Sequence, residues 1–210
     1  SLYYLLLNVW LRLIEGIGAG KMSGCMNESN ILQAGSWKQH VEVLGSLLSG
    51  LDCTGGERAE WTTDEAFACW RDWAVACRKA RRTLYLIGNG ASASMASHFS
   101  ADLAKNAHLH TEVFSDLSLV TAIANDLGYD QVFSEPLSRR ASEGDMLVAI
   151  SSSGRSRNIL KAVEVARERG LTVVTLSAMA PDNPLRHAGD LNFYVAAETY
   201  GHAETAHAAI

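Results

Sequence analysis

The chain has 210 residues, of which 48% are apolar and 20% charged. This composition is typical of one globular α/β domain and excludes a disordered or low-complexity chain. The formal net charge is −5 and no long basic run occurs, so no nucleic-acid partner is expected. The four cysteines, Cys25, Cys53, Cys69 and Cys77, show no C-x-x-C spacing, which predicts reduced thiols and favours a cytoplasmic setting.

The N-terminal segment, residues 1–36, is set apart from the domain predicted for residues 37–210. Its apolar run is interrupted by polar residues and falls short of the roughly 20 apolar residues that a membrane crossing needs, so no membrane partner is expected. We interpret residues 1–28 either as a packing helix or as sequence upstream of a start at Met22 or Met26.

Two helices are predicted in the first part of the domain. Apolar residues recur at spacings of three and four from Trp37 to Leu51, which indicates a helix that faces the core. The segment Asp52–Trp61 breaks it. A capping box at Thr62–Glu65 then starts a second amphipathic helix, which ends before Arg81. Its tryptophans are expected in the core.

Short β-rich runs alternate with helix-length segments in the remainder of the chain. This alternation predicts an α/β fold with a five-stranded parallel sheet covered on both faces. The predicted strands are 83–87, 112–114, 146–150, 172–176 and 191–195. The predicted helices are 92–106, 119–125, 130–142 and 156–169, the last closed by a left-handed Gly170.

Two loops at strand-to-helix junctions are suited to an anion. The strand at 83–87 runs into the glycine loop, 88–94, whose glycines bring backbone N–H groups to a helix N-terminus. The strand at 146–150 runs into the serine loop, 151–156, with four hydroxyls at a second helix N-terminus. Both loops follow the carboxyl ends of parallel strands, so we expect them to share one crevice.

Two alternatives remain open for these loops. Each loop taken singly is also compatible with a capped, solvated turn. Gly88, Gly90 and Ala93 satisfy a relaxed dinucleotide fingerprint, with Glu112 or Asp116 placed for a ribose. A dinucleotide site, however, has no use for a second loop rich in hydroxyls, whereas a phosphosugar needs one.

Two helical segments carry residues at metal-ligand spacing. His98 and Asp102 are four apart and share a face, although such a pair is also common as a surface hydrogen bond. Glu204 and His207 are three apart within 202–210, a stretch of helix formers without a stop signal, so we expect the sequence to end inside a helix. The other histidines considered are interpreted as solvated or packing residues: His40, His108, His110 and His187.

Five motifs in order resemble the sugar isomerase (SIS) domain and, within it, the phosphoheptose isomerase group. They are Gly88-Asn-Gly-Ala-Ser-Ala-Ser, His98-Phe-Ser-Ala-Asp102-Leu, Asn125-Asp126-Leu-Gly-Tyr, the stretch from Glu143 to Asn158 that holds the serine loop, and Tyr200-Gly-His-Ala-Glu204. The resemblance implies a flavodoxin-like sheet and a homotetramer with sites at subunit interfaces. It also implies isomerisation of sedoheptulose 7-phosphate to a manno-heptose 7-phosphate for lipopolysaccharide or capsule.

The resemblance also assigns roles by position. It implies zinc, one ion per site, on His98, Asp102 and Glu204, with Asp102 doubling as the base that moves a proton between C1 and C2. Asp102 stands where the family usually has Glu and is one methylene shorter, and Glu204 stands where the family has Gln. The residues implied to contact the sugar phosphate are Asn89, Gly90, Ala91, Ser92, Asn125, Asp126, Ser151, Ser152, Ser153, Ser156 and Glu204.

The sequence therefore predicts a phosphosugar aldose–ketose isomerase that works through an enediol. The alternative is a non-catalytic SIS module that binds a sugar phosphate or a protein partner, as relatives that associate with a replication initiator do. The family's final ligand, a His, is expected two residues past Ile210. We therefore expect the 210 residues alone to be impaired in catalysis.

Overall fold

The computed structural model describes residues 36–55 and 58–210. The chain divides into two compact units at Lys38/Gln39, and almost all of the first unit lies outside the described residues. The interpretations of residues 1–28 and of Cys25 fall there as well, and the domain boundary at 36/37 stays a prediction. Cys53, Cys69 and Cys77 are free thiols. Among the helices of the described residues, none combines the length and apolarity needed to cross a membrane.

Seven helices and seven strands make up the described part of the chain. The helices are α1 Trp37–Ser49, α2 Thr63–Lys79, α3 Ala91–Ala107, α4 Leu117–Asp126, α5 Ser134–Arg140, α6 Arg157–Glu168 and α7 Tyr200–Ala209. The strands are β1 Asp52–Gly55, β2 Arg58–Trp61, β3 Thr83–Gly88, β4 His110–Val113, β5 Met146–Ser151, β6 Thr172–Ala178 and β7 Leu191–Val195. Two 3₁₀ turns cover Tyr129–Gln131 and Pro184–His187.

All strands join one sheet in the order β2-β1-β7-β6-β5-β3-β4. The five strands from β3 to β7 are parallel, which confirms the α/β fold, and their order is that of flavodoxin-like sheets. The predicted count of five strands is too low. The segment interpreted as a break, Asp52–Trp61, forms an antiparallel hairpin whose first strand pairs with β7 at the sheet edge.

The central strands are buried on both faces, as their near-continuous apolar sequences require. One apolar cluster lies on each face of the sheet, the first around Leu147 and Val173 and the second around Leu86 and Phe193. The strand order changes direction between β3 and β5, because β3 pairs with β4 on one side and with β5 on the other. Ligands of such sheets bind at this switch point, outside the carboxyl ends of the strands.

Helix α2 forms as its sequence predicts. The Thr62 side chain accepts a hydrogen bond from the Glu65 N–H, and the Glu65 carboxylate accepts one from the Thr62 N–H, so the capping box is closed. Trp70 and Trp73 pack against the second apolar cluster, as predicted. The left-handed conformation of Gly170 after α6 is likewise confirmed, with a φ of 73°.

Two helix predictions differ from the structure. The helix predicted for 130–142 is a 3₁₀ turn followed by the shorter α5, in which Pro136 sits in the first turn. Proline has no N–H to donate to the carbonyl four residues earlier. A helix that began before Ser134 would therefore lack the hydrogen bond at Pro136. The predicted core-facing stripe of α1 holds only for its second half. Leu44 and Leu48 pack against a small cluster near α7, while Val41 is 48% exposed.

Candidate active site

The glycine loop and the serine loop lie side by side at the switch point. Gly88, at the end of β3, is in register with Ile150, next to the end of β5. The chain leaves both strands at the same edge of the sheet and enters α3 and α6 from the two loops. The two loops therefore lie next to each other, as predicted from the sequence.

The glycine loop depends on two glycines for different reasons. Gly90 has a φ of 56° and is the residue before α3, a backbone conformation that side chains disfavour. A Cβ on Gly88 would lie 2.5 Å from the backbone carbon of Ser92, so only glycine lets the strand approach the helix this closely. No side chain caps α3, and the N–H groups of Ser92 and Ala93 donate to the Asn89 and Gly90 carbonyls of the loop itself.

The serine loop gathers hydroxyls at the start of α6. The Ser151 hydroxyl donates to the Ser156 hydroxyl at 3.2 Å, and the Ser153 hydroxyl accepts from the Arg155 N–H at 3.3 Å. Ser156 precedes α6 without capping it through its side chain. The hydroxyl oxygen of Ser152 is buried and has no partner among the described residues. A buried hydroxyl without a partner beside an uncapped helix N-terminus fits an anionic ligand.

Asn158 joins the two loops, and sequence reasoning assigned it no role. Its side-chain N–H donates to the Asn89 carbonyl oxygen at 2.9 Å, and the Asn89 N–H donates to the Asn158 oxygen at 3.0 Å. The Tyr129 hydroxyl also donates to the Asn89 oxygen, at 3.0 Å. The sequence signal that could have identified Asn158 is its polar side chain among the buried residues of α6, such as Ile159 and Ala162.

A cavity of about 240 Å³ opens beside the glycine loop. Asn89, Gly90 and Tyr129 lie on its wall, together with apolar residues at the end of β4 such as Phe114. Its size and its mixture of apolar and polar groups suit the carbon chain of a small sugar next to a phosphate loop.

The second predicted contact pair, Asn125 and Asp126, lies at the end of α4. The Asn125 side chain donates to the Asp126 carboxylate at 2.8 Å at the end of α4. Asp126 lines a separate cleft of about 410 Å³ between α4 and α5, rather than the cavity beside the glycine loop. Neither Asn125 nor Asp126 lines the cavity beside the glycine loop, and their contact with a substrate stays a prediction.

The predicted metal ligands are only partly brought together. His98 Nε2 lies 3.4 Å from the nearer Asp102 oxygen, and both side chains are mostly exposed on α3, at 71% and 55%. Glu204 is half-buried on α7, and burial raises the pKa of its carboxyl. No group of three His, Cys, Asp or Glu side chains that could hold a metal ion occurs in residues 36–55 and 58–210.

Two histidines of α7 have partners that the sequence did not reveal. His202 Nε2 lies 3.1 Å from Nδ1 of His40 on α1, and the two rings stack. Burial, and then the neighbouring His40, lower the pKa of His202. The His207 ring is fully buried and donates from Nε2 to the Ser177 carbonyl at 3.2 Å. Burial lowers the pKa of His207 to about 4.

The structure opposes the dinucleotide alternative. Glu112 forms an ion pair with Arg140, and Asp116 accepts a hydrogen bond from the Leu119 N–H as the cap of α4. Both acids that could hold a ribose are therefore engaged in holding helices in place.

Comparison with known proteins matches this chain to one family model and to phosphoheptose isomerases. The model of a family described as the SIS domain matches residues 57–178. A phosphoheptose isomerase of Shewanella denitrificans is 37% identical over 144 residues, which are 63% of this chain and 72% of the relative. One of Shewanella oneidensis is 38% identical over 119 residues, 54% of this chain and 60% of the relative, so the match spans less than two thirds of that protein.

Solved structures agree with this match. The phosphoheptose isomerase of Neisseria gonorrhoeae superimposes with a TM-score of 0.70 at 25% identity, covering 82% of this chain and 89% of that one. The phosphoheptose isomerase of Francisella tularensis gives 0.71 at 22% identity, with 88% and 94% covered, a likeness that shows the fold alone.

Proposed function

This chain belongs to the SIS domain family, and on that premise we propose that it is a phosphosugar aldose–ketose isomerase. Its substrate is then sedoheptulose 7-phosphate, and its product D-glycero-D-manno-heptose 7-phosphate. The relatives named phosphoheptose isomerase support the substrate class. The observation that carries the proposal is that the serine loop lies beside the glycine loop at the switch point of the sheet, and that the glycine loop also lines a sugar-sized cavity on its β4 side.

The serine loop holds the phosphate in this proposal. The N-terminal N–H groups of α6 supply donors and a favourable dipole. Ser152 offers the buried hydroxyl that has no partner in the described residues, and Ser156 leaves the helix uncapped by its side chain. The carbon chain of the sugar then extends toward the cavity at Asn89 and Gly90.

The chemical step moves two protons. A base removes one from C1 of the ketose, the electron pair of that C–H bond forms the C1–C2 double bond, and the C2 carbonyl oxygen takes up the charge and then a proton, which gives the enediol. When the C1 hydroxyl loses its proton and a proton is returned to C2, the aldose results. Asp102 is the proposed base, with His98 beside it. Both are mostly exposed on α3, so a neighbouring subunit must cover them if water is to be excluded. We therefore propose a homotetramer with its sites at subunit interfaces, working in the cytoplasm to supply heptose for lipopolysaccharide or capsule.

Zinc stays a prediction. A catalytic zinc takes about three protein ligands, whereas His98 and Asp102 supply two, and Glu204 does not complete a group of three within the described ranges. The residues described therefore do not make a zinc site by themselves, and no step above uses a metal. Metal content of the purified full-length protein, measured by elemental analysis with and without Asp102→Asn, tests the prediction.

A second candidate is a module that binds a sugar phosphate without converting it. The exposed pair of His98 and Asp102 favours this alternative, because a His and an Asp at this spacing can equally form an ordinary surface hydrogen bond. The crevice and the serine loop would serve both functions equally.

One pair of measurements separates the two candidates. Full-length protein is titrated with sedoheptulose 7-phosphate by calorimetry, and aldose formation is followed in parallel by NMR. Binding with turnover supports the isomerase, and binding without turnover supports the module. Asp102→Asn is expected to lower kcat by about 100-fold or more, because general base catalysis contributes at least that much. Asp72→Asn, at an exposed carboxylate paired with Arg71, is the matched control and keeps wild-type turnover.

A further inference from the structure

We propose that Asn158 is a positioning residue that fixes the amide of Asn89 so that Asn89 meets the substrate as a hydrogen-bond donor. This inference rests on the proposed function, since it names how one substrate contact is oriented. Asn158 is buried at the start of α6, only two residues after the serine loop, and its side chain reaches the glycine loop. It therefore connects the loop proposed to hold the phosphate with the loop proposed to face the sugar.

The orientation of Asn158 is set by the backbone. The Ile159 N–H donates to the Asn158 side-chain oxygen at 3.0 Å. A backbone N–H can only donate, so the group opposite it must be the carbonyl oxygen rather than the NH₂ of the amide. The remaining NH₂ of Asn158 is thereby directed at Asn89.

The orientation of the Asn158 amide in turn fixes the orientation of the Asn89 amide. The Asn158 NH₂ needs an acceptor and finds the Asn89 oxygen at 2.9 Å, while the Asn158 oxygen accepts from the Asn89 NH₂ at 3.0 Å. The Tyr129 hydroxyl occupies the second lone pair of the Asn89 oxygen, at 3.0 Å. An amide oxygen has two lone pairs, so that of Asn89 is fully used.

Asn89 has one group left for a ligand. Its NH₂ carries two hydrogens, one of which is donated to Asn158, so the second N–H is the group it can offer to the cavity whose wall it lines. In the proposed reaction negative charge develops on the C2 oxygen as the C1 proton leaves. A fixed donor at that oxygen stabilises the enediolate, and a donor held in place beforehand does so without a cost of reorientation.

The test changes Asn158 without changing its shape. Asn158→Asp keeps an oxygen for the Ile159 N–H and for the Asn89 N–H, but puts a second oxygen opposite the Asn89 oxygen, which repels it and turns the amide. We expect kcat on sedoheptulose 7-phosphate to fall by about tenfold or more. Because the new carboxylate lies two residues after the serine loop and also repels phosphate, kcat is compared at saturating substrate, and the Kd of inorganic phosphate is read separately by calorimetry. Asn106→Asp, the same change at an exposed position near the end of α3, is the control and leaves kcat unaltered.

A second variant tests the same hydrogen bonds in case Asn158→Asp does not fold. Tyr129→Phe removes one hydroxyl from a side chain that is 57% exposed, so it folds, and its kcat is expected to fall by roughly threefold, the effect of one neutral hydrogen bond. In an Asn89→Ala background neither Asn158→Asp nor Tyr129→Phe should lower kcat further, because both act through Asn89. A merely structural role would lower it equally in both backgrounds.

The outcomes are distinct. An active wild type whose kcat is unchanged by Asn158→Asp and by Tyr129→Phe overturns this inference and leaves the isomerase standing. Losses of the same size with and without Asn89 overturn it as well. A wild type that forms no aldose overturns the proposed function, and the positioning role with it.

Discussion

Acid is expected to destabilise this protein through His207. Its ring is fully buried, its Nε2–H donates to the Ser177 carbonyl, and its Nδ1 has no partner in the part of the chain that the structure describes. Protonation would place a charge in that apolar site. Burial is accordingly the main cause that lowers the pKa of His207 from 6.5 to about 4, and the bond to Ser177 opposes it.

The magnitude follows from proton linkage. As pH falls below 6.5 the unfolded chain takes up a proton at this imidazole, while the folded chain does not do so until about pH 4. The unfolded state therefore binds more protons across this window, and the free energy of unfolding falls as pH falls, by about 1.4 kcal/mol per unit. The loss over the whole window is about 3 kcal/mol, and above pH 7 it is absent.

Urea denaturation between pH 4 and pH 7.5 measures this loss. His207→Gln keeps an N–H donor for the Ser177 carbonyl but cannot take up a proton in this range, so its free energy of unfolding should fall by about 3 kcal/mol less than that of the wild type. His187→Gln, at an exposed position, should leave the wild-type slope unchanged. Equal slopes for wild type and His207→Gln would show that the pH dependence belongs to groups other than His207.

Three further changes test the structure. Gly154→Ala should lower the free energy of unfolding, measured in urea, by about 3 kcal/mol. Gly154 has a φ of 61°, and a Cβ there would lie 1.9 Å from the buried Asn183 side-chain oxygen. A loss below about 1 kcal/mol would contradict this expectation. Glu204→Gln should raise the melting temperature at pH 7, because burial raises the pKa of this carboxyl and its ionisation therefore costs stability. The gain should vanish below pH 4.5, where Glu204 is protonated in both the folded and the unfolded chain. A gain that persists in acid would point to another cause. Thr62→Ala should cost about 1 kcal/mol by opening the capping box, and an equal loss from Thr62→Ser would contradict the role of the hydroxyl.

The parallel sheet could be predicted because its signal is local. Four of the five predicted strands begin at the observed residue, since buried strands are short apolar runs bounded by turn residues. The crevice followed from topology alone, because parallel neighbours end at one edge. The serine loop and the glycine loop could thus be placed together without any knowledge of side-chain contacts.

The elements that sequence reasoning missed depend on partners far along the chain. Strand β1 is four residues long and owes its conformation to β7, about 140 residues later. His40 packs against His202 across two helices, which agrees with its interpretation as a packing residue, but the sequence did not identify His202 as its partner. In the sequence Asn158 is an ordinary polar residue of an amphipathic helix, and only the tertiary fold shows that it contacts Asn89. Local patterns specify elements, whereas these contacts arise from how the elements pack.

We propose that a sugar phosphate binds at the switch point with its phosphate on the serine loop. A crystal structure of the full-length protein with sedoheptulose 7-phosphate tests it most directly. The phosphate is expected within hydrogen-bond distance of the Ser152 hydroxyl and the first N–H groups of α6, with the sugar carbons in the cavity beside Asn89. A phosphate bound elsewhere, such as in the cleft between α4 and α5, would contradict the account.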